Sequence, residues 1–216
     1  MCGRFINLNS NKKLKNIFEI YNKENIENIY SYNIAPSQQA IIIINDNRIE
    51  MANWGFKFID KKTQKENLII NSRLETIKDK LIFKDSFLKR KCIIPANGYF
   101  EWYKDNNFKK PHFIHVPEKE TIFFAGIWKY LDFYNSKKII FSIITKPANY
   151  ILNKIHHRMP VTLSIEESKE YLASPDSEFL NIDFVSIVEK YFEFYEISKY
   201  VNSPANNSPE CINPTN

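Results

Sequence analysis

Glycine is scarce in this chain of 216 residues. Average usage would give roughly 15 glycines at this length, whereas the chain has 4. They are Gly3, Gly55, Gly98 and Gly126. Because so few remain, we expect each to mark a backbone position that tolerates no side chain.

Long apolar runs and a secretory signal are also absent. No stretch of about 18 apolar residues occurs, and the first residues lack the basic, apolar and cleavage regions of a signal peptide. Cys2, Cys92 and Cys211 are an odd number of cysteines without a close-spaced pair, which argues against a disulfide framework and against a CxxC zinc site. We therefore expect a protein of the reducing cytoplasm, with no membrane partner.

Arginine is rare as well, although the formal net charge of +5 permits a polyanionic partner. Three of the few arginines fall in segments that other features also single out. They are Arg4, Arg73 and Arg158. The planar fork of arginine suits phosphate, so we expect these three to contact the backbone of a nucleic acid.

Short apolar and β-branched runs dominate the chain and predict strands. The runs span residues 40–45, 68–70, 92–95, 99–103, 112–116, 121–130, 138–145 and 159–163. Helical patterns cover residues 12–21, 74–83 and the segment after Ser164, where Ser164 and Glu167 form a capping box. The prediction is an α+β fold, a single domain with a curved or barrel-like, mostly antiparallel sheet flanked by helices. We place the domain at residues 1–202 and a weakly structured polar tail, rich in Asn, Ser and Pro, at residues 203–216.

Cys2 is the strongest candidate nucleophile, because removal of Met1 would leave an amine and a thiol on adjacent carbons. An α-amine has an ordinary pKa near 7.8, against about 10.4 for lysine, so a far larger fraction is neutral at pH 7. The amine can form a Schiff base with an aldehyde, and the thiol can then close on the same carbon to give a thiazolidine. The alternative is a small residue at a disordered terminus.

Glu101 is the candidate for proton transfer. Asn97 and Gly98 separate two β-like runs and predict a tight hairpin turn that presents it. Alternation along the second run puts Tyr99, Glu101 and Tyr103 on one face of a strand. Partial burial among aromatic rings would raise the pKa of the carboxyl group toward the range useful for proton transfer. The alternative is an acid on a solvated strand face.

His156 and His157 stand together just before another β-like run. At least one imidazole could donate a hydrogen bond to a developing oxyanion. Paired histidines also suggest zinc, with His112 and His115 as further ligands, but no thiolate or carboxylate has a convincing spacing relative to them. We therefore predict no metal and no cofactor. Histidines without a role remain the alternative.

Asn71 follows the apolar run 68–70, at a strand end where a helix is predicted to begin. An asparagine there is commonly an N-cap, but its amide can also orient an amine without competing for its proton. Trp54 and Phe56 offer aromatic faces that could stack on a nucleobase, or else they belong to the core.

Eight segments, in this order, together resemble the SRAP family, the SOS response-associated peptidase domain. They are residues 1–5, 32–37, 54–55, 71–76, 92–102, 125–128, 145–149 and 155–160. The resemblance runs through nearly the whole chain and implies one α+β domain with a positively charged groove for single-stranded DNA. The implied substrate is the ring-opened aldehyde of an abasic site. The chain departs from the family pattern around Trp54, where many members carry an arginine before Trp-Gly and a proline and a second tryptophan after it.

The resemblance also implies roles for the candidate residues. Cys2 would form a thiazolidine crosslink that shields the lesion, and Asn71 would orient its amine. Glu101 would act as general acid and base, while His156 would stabilise or protonate the sugar oxygen, and the same groups could reverse the link. The motif favours His156 over His157. We expect a monomer that acts on abasic sites in single-stranded DNA at the nucleoid, and DNA contacts from Arg4, Trp54, Phe56, Arg73 and Arg158.

Two other functions remain open. Glutamine amidotransferases also begin with Met-Cys-Gly, and the family name records a peptidase proposal. On that hypothesis Cys2, Glu101 and His156 would cut an amide, or would remove Met1 autocatalytically. A non-catalytic reader of single-stranded DNA would use its aromatic residues and arginines alone, and its binding would weaken with salt.

Overall fold

The computed structural model describes residues 2–20, 26–59, 63–105, 108–117, 121–133, 136–174 and 179–215. Its strands are β1 (Phe5–Asn7), β2 (Ser31–Ile34), β3 (Gln39–Ile44), β4 (Arg48–Trp54), β5 (Phe56–Ile59), β6 (Glu66–Ile69), β7 (Asn71–Arg73), β8 (Lys91–Ala96), β9 (Gly98–Asp105), β10 (Phe108–His115), β11 (Ile122–Phe133), β12 (Ser136–Pro147), β13 (Arg158–Pro160), β14 (Thr162–Leu163) and β15 (Glu193–Glu196). Its α-helices are α1 (Asn11–Phe18), α2 (Leu81–Lys89) and α3 (Ile165–Ala173). Short 3-10 helices span Leu74–Thr76, Leu152–Lys154, Glu189–Tyr191, Lys199–Asn202 and Pro209–Ile212.

Strand pairing closes part of the sheet into a barrel. The pairing runs from β12 through β4, β3, β8 and β11 and back to β12. Strands β7 and β13 both pair with β12, and β14 pairs with β11. A second sheet has the order β15, β10, β9, β1, β2, while β5 pairs with β6. The predicted α+β fold with a barrel-like, mostly antiparallel sheet is confirmed.

The apolar core is layered because successive side chains of a strand point to opposite faces. In β3, Ile41 and Ile43 belong to the cluster covered by the helices, whereas Ile42 belongs to the cluster shared with the second sheet. A third cluster lies on the far face of the second sheet, against the C-terminal segment. Cys2 lies in the middle cluster, between the barrel and the second sheet.

Two of the three predicted helices are present. The helix after Ser164 is α3, and its capping box between Ser164 and Glu167 is confirmed. The helix predicted at residues 12–21 is α1, although Tyr21 lies outside the described residues. Within the described ranges, none of the helices has the length and the apolar character needed to cross a lipid bilayer.

The prediction of one helix over residues 74–83 is wrong. The chain forms only a 3-10 turn over Leu74–Thr76, and a separate helix, α2, begins at Leu81. Leu74 and Ile77 are buried, whereas Leu81 is 92% exposed. The three side chains therefore do not share a face.

Strands β8 and β9 are consecutive in the chain but lie in different sheets. β8 pairs with β3 and β11, whereas β9 pairs with β1 and β10. The predicted hairpin at Asn97 and Gly98 is therefore wrong. Asn97 instead fixes the crossing, since its side-chain oxygen accepts a hydrogen bond from the Leu8 N–H at 2.6 Å. A side chain at Gly98 would come within 2.7 Å of the Ile114 carbonyl oxygen, so this close approach requires glycine.

The segment 203–215 is docked on the second sheet. Cys211 is only 1% exposed and belongs to the third cluster. The Asn33 side chain donates hydrogen bonds to the carbonyl oxygens of Ser203 and Asn206. The prediction of a weakly structured tail is therefore wrong, because side chains of the domain satisfy the backbone of this polar segment.

Candidate active site

Four predicted site residues from distant parts of the chain converge. Cys2 lies just before β1, Asn71 begins β7, Glu101 is on β9, and His156 lies just before β13. The Asn71 side-chain nitrogen is 2.9 Å from the Cys2 carbonyl oxygen. The His156 Nε2 atom is 3.5 Å from Glu101 Oε1. Glu101 in turn lies close enough to Cys2 for its charge to raise the pKa of the thiol.

Cys2 is fully buried in the middle cluster. Burial, and secondly the negative charge of Glu101, hold the pKa of its thiol far above the ordinary value. The sulfur is 4.0 Å from the Arg4 carbonyl oxygen, at the limit for a weak hydrogen bond. The thiol is therefore uncharged at neutral pH, and it can attack only if a nearby group takes its proton.

Glu101 is 3% exposed, and burial raises the pKa of its carboxyl group. The predicted alternation is confirmed, because Tyr99 points into the middle cluster while Phe100 points into the third. Tyr103, on the same face as Glu101, lies nearer the surface. The carboxyl group can therefore exchange protons near neutral pH more readily than an exposed glutamate.

His156 faces Glu101. His157 is exposed, and its ring stacks on that of His156 with centroids 4.3 Å apart. Burial lowers the pKa of His156 to about 4. Its Nδ1 atom is 3.0 Å from the Arg158 N–H and 3.3 Å from the Arg158 carbonyl oxygen. In the neutral ring Nδ1 accepts from that N–H, so Nε2 carries the hydrogen and points it toward Glu101. In the protonated ring Nδ1 can donate to the carbonyl oxygen instead.

Asn71 is a strand residue, so the alternative that it caps a helix is wrong. The N-cap position of the following 3-10 helix belongs to Arg73. The Asn71 side-chain oxygen is buried, and no described group hydrogen-bonds to it. The Asn71 amide nitrogen already donates to the Cys2 carbonyl oxygen. The Asn71 side-chain oxygen is therefore available to accept a hydrogen bond from an N–H of Cys2.

The three predicted arginines differ in their surroundings. Arg4 is half-buried and donates hydrogen bonds to Asn33 and to the Val201 carbonyl oxygen. Arg73 is exposed. Arg158 is 7% exposed, and its guanidinium forms a two-pronged ion pair with Glu75. The Arg158 guanidinium is thus engaged with Glu75 in this structure, and its contact with DNA stays a prediction.

Trp54 and Phe56 are both fully buried. The Trp54 indole N–H donates to the Ile70 carbonyl oxygen, and its ring lies parallel to that of Phe141. The predicted stacking of these two aromatic residues on a nucleobase is therefore wrong, because protein atoms cover their faces.

Sequence reasoning missed three residues around the mouth of the site. Trp102, Lys104 and Lys109 border a cavity of about 430 Å³ together with Glu101 and His156. Lys104 and Lys109 are cross-strand neighbours on β9 and β10. Lys104 lies three residues after Glu101 on the same strand, β9. Its neighbour Lys109 could be identified only once β9 and β10 were known to pair. Within the part of the chain that the structure describes, no group of three or more His, Cys, Asp or Glu residues could hold a metal ion.

The family model for SOS response associated peptidase (SRAP) matches residues 1–204. The chain belongs to the SRAP family. Among curated SRAP relatives, the abasic site processing protein YoqW of Bacillus subtilis is 35% identical over 98% of this chain and 99% of its own length. The abasic site processing protein YedK of Escherichia coli is 26% identical over 99% of this chain and 100% of its own.

Solved structures have the same fold as this SRAP chain. A protein from Bacteroides thetaiotaomicron superposes with a TM-score of 0.72 at 26% identity, over 86% of this chain and 85% of that one. A protein from Bordetella bronchiseptica gives a TM-score of 0.73 at 16% identity, over 91% and 100%. The second likeness shows the fold alone.

Proposed function

We propose that this SRAP protein captures abasic sites in single-stranded DNA through a covalent link to Cys2. The observation that carries the proposal is the convergence of a buried thiol, a buried carboxyl group and an imidazole. The carboxyl group and the imidazole also border a cavity together with two lysines. The relatives' names, abasic site processing protein, supply the substrate class. It would act as a monomer at the nucleoid, in the cytoplasm, without metal or cofactor.

The first step is attack by the α-amine that removal of Met1 would leave on Cys2. Roughly one in seven such amines is neutral at pH 7. The free side-chain oxygen of Asn71 can accept an N–H from this amine and aim its lone pair at the aldehyde carbon. A carbon–nitrogen bond forms as one amine proton moves to the aldehyde oxygen, that oxygen leaves as water with a second proton, and a protonated Schiff base remains. Glu101, protonated in part because burial raises its pKa, supplies the proton that the departing oxygen needs.

The second step is closure by the thiol. Burial keeps the Cys2 thiol protonated, so Glu101, now a carboxylate, takes its proton as the carbon–sulfur bond forms. The electron pair of the C=N bond returns to the nitrogen, which keeps its one proton, and Glu101 ends protonated as it began. Amine, thiol and aldehyde thus give a thiazolidine and one water molecule. The Nε2 hydrogen of neutral His156 can donate to the sugar ring oxygen and so favour the open-chain aldehyde.

The surface around the cavity would hold the DNA strand. Lys104 and Lys109 offer positive charge for phosphates, and Arg73 adds an exposed charge two residues after Asn71. Trp102 is partly exposed, and the guanidinium of Arg4 lies over its ring. A base flanking the lesion can stack on this indole.

Amide hydrolysis fits the site less well. Cysteine hydrolases use a thiolate, whereas both burial and Glu101 raise the pKa of the Cys2 thiol. An imine, in contrast, needs only a thiol that loses its proton as it attacks.

The test is a gel of protein mixed with single-stranded DNA carrying one abasic site and then denatured. We expect a surviving band in the wild type and in Cys211→Ala, which removes an equally buried cysteine elsewhere, and none in Cys2→Ala. Borohydride should restore a band in Cys2→Ala, because its amine still forms a reducible Schiff base. We expect Glu101→Gln to slow band formation. A wild type without a band, although mass spectrometry shows Met1 removed, would refute the proposal.

A further inference from the structure

A second cavity lies beside the candidate active site. Its volume is about 240 Å³, space for roughly eight water molecules of about 30 Å³ each and comparable with one nucleobase. The lining comes from β9, β10, β15 and the segment before β13, and consists of Tyr103, Lys110, His112, Lys154, Ile155 and Glu196. The proposed capture of abasic sites makes no use of these residues.

Two links in the chain place this cavity next to the reacting groups. His112 on β10 is the cross-strand partner of Glu101 on β9. Directly opposed side chains of antiparallel strands lie on the same face, with Cβ atoms roughly 4.5–5.5 Å apart. On the other side, Ile155 immediately precedes His156 in the sequence. A DNA strand whose lesion reaches Glu101 and His156 therefore brings a neighbouring nucleotide to the cavity.

Two aromatic rings form one wall of the cavity. Tyr103 is 38% exposed, and its ring meets the His112 ring edge-on with centroids 6.3 Å apart. The His112 side chain is buried, and its Nδ1 atom is 3.0 Å from the Lys110 carbonyl oxygen, which fixes the orientation of the ring. An exposed tyrosine backed by an anchored ring is a surface on which a nucleobase can stack.

The polar side of the cavity places an acceptor next to a donor. The Lys110 Nζ atom is 3.7 Å from Glu196 Oε2, which is too long for a hydrogen bond. The two side chains are 43% and 42% exposed, so a ligand can reach both charges. Lys154 adds a second ammonium group from the 3-10 helix before β13.

Guanine is the nucleobase that matches this combination. Its N1–H and its N2 amine are two adjacent donors that one carboxylate can accept together, and its O6 atom is an acceptor for an ammonium group. Adenine and cytosine carry a ring-nitrogen acceptor beside their amine, which a carboxylate repels. Thymine offers a single N–H between two carbonyl groups. The Glu196 carboxylate therefore discriminates in favour of guanine.

We propose that the cavity binds a guanine base immediately next to the abasic site, with Glu196 on its N1–H and N2 amine, Lys110 on O6 and Tyr103 against its face. The inference rests on the proposed function, because the lesion must lie beside Glu101 for its neighbour to reach the cavity. It adds a sequence preference that the capture chemistry itself does not require.

The first experiment measures binding without the covalent step. Fluorescence anisotropy compares single-stranded oligonucleotides that carry the tetrahydrofuran analogue of an abasic site, which has no aldehyde, with G, A, C or T on its 5′ or its 3′ side. We expect guanine on one of these sides to bind about five- to tenfold more tightly than the other bases, the lower end for a two-pronged base contact. Equal dissociation constants for the four bases on both sides would overturn the inference.

Glu196→Gln should change the preferred base. Glutamine presents one acceptor and one donor, which complement the adenine amine and the ring nitrogen beside it. We expect the guanine preference to disappear and adenine to become the best-bound neighbour. The matched control is Glu193→Gln, which removes the same charge from the exposed start of β15 and should keep the guanine preference. Retention of that preference in Glu196→Gln refutes the inference, whatever the change in overall affinity.

Tyr103→Ala tests the stacking wall. We expect an affinity loss of about fivefold or more for every neighbouring base, the lower end for base–aromatic stacking, and no loss when the neighbouring nucleotide also lacks its base. An equal loss for that doubly abasic oligonucleotide contradicts the stacking contact. A guanine preference in binding without any crosslink in the denaturing gel refutes only the proposed capture, whereas a crosslink without a guanine preference in binding refutes only this inference.

Discussion

Glu101 illustrates the cost of burying a carboxyl group in an apolar interior. Its carboxyl group is 4% exposed, and desolvation disfavours the ionised form. Because the pKa is raised in the folded state, any stability that this group provides is fully present below the unfolded pKa near 4.5 and is lost as the pH rises through the folded pKa. Ionisation of Glu101 as the pH rises through its folded pKa therefore costs the fold stability.

Replacing Glu101 by a neutral residue should stabilise the protein at pH values where the carboxyl group is ionised. We expect Glu101→Gln to raise Tm at pH 7, with about 2–4 °C for each kcal/mol gained in a chain of this size. The gain should vanish near pH 4, where the carboxyl group is protonated in both states. Differential scanning calorimetry at both pH values measures this. Glu66→Gln, an exposed glutamate on β6, is the control, and an equal gain at the two pH values would contradict the explanation.

Residue identity predicted the candidate site better than it predicted exposure. Cys2, Glu101 and His156 stand out because each has a chemistry that few other side chains share. Trp54 and Phe56, in contrast, are predicted DNA contacts only because aromatic rings can stack on bases. Both side chains are fully buried, and whether a ring faces solvent depends on strand partners that local sequence does not contain.

At the scale of elements, the crossing from β8 to β9 delivers Glu101 to the site. Gly98 makes this crossing possible, since a Cβ atom there would lie 2.5 Å from the Phe113 ring and 2.7 Å from the Ile114 carbonyl oxygen. The ring can move, but the carbonyl belongs to the paired strand β10. A side chain at this point would push β9 away from β10.

Gly98→Ala should therefore affect both stability and function. We expect a loss of roughly 1–3 kcal/mol, as for other overpacked sites, and slower crosslinking because Glu101 lies three residues further along β9. Thermal melts and the denaturing gel measure the two effects. Phe108→Ala, at a side chain that is 66% exposed at the far end of the same strand pair, is the control. A variant with wild-type Tm and rate would show that β9 accommodates a Cβ atom at this position.

Elements were predicted well where the signal is local, and poorly where it depends on partners. The capping box of α3 needs only Ser164 and Glu167, and it was identified correctly. Asn97 and Gly98 form a dipeptide that commonly turns a hairpin, but here hydrogen bonds to β1 carry the chain into another sheet. Nothing in the dipeptide itself distinguishes these outcomes.

For the whole molecule, positive charge near the site matters more than the total of +5. If Lys104 and Lys109 each contact a phosphate, the slope of log affinity against log salt for single-stranded DNA should fall by about 0.7 for each lysine removed. We expect Lys104→Ala with Lys109→Ala to weaken binding accordingly at low salt, as measured by fluorescence anisotropy. Lys12→Ala, an exposed lysine on α1 in the layer of helices, removes the same charge and should leave the slope unchanged.

Whole-chain organisation was foreseen only in part. The fold class followed from the sequence of short strands and few helices, and these patterns persist whatever the pairing order. The closure of the barrel through β11 and β12 and the docking of residues 203–215 did not follow, because both depend on contacts between distant segments. Polar composition, in particular, does not reveal that Asn33 binds the backbone of that segment.

The convergence of Cys2, Asn71, Glu101 and His156 has a consequence for the timing of biosynthesis. Cys2 is made first, and His156 follows about 150 residues later. At roughly 5–20 residues per second, that delay amounts to roughly 8–30 s. During this interval the nascent chain carries a cysteine near its start without the strand that brings the imidazole to it. On the proposed mechanism, a cellular aldehyde that meets the growing chain would therefore find an ordinary cysteine, and the site would reach full reactivity only after β13 has been synthesised and paired.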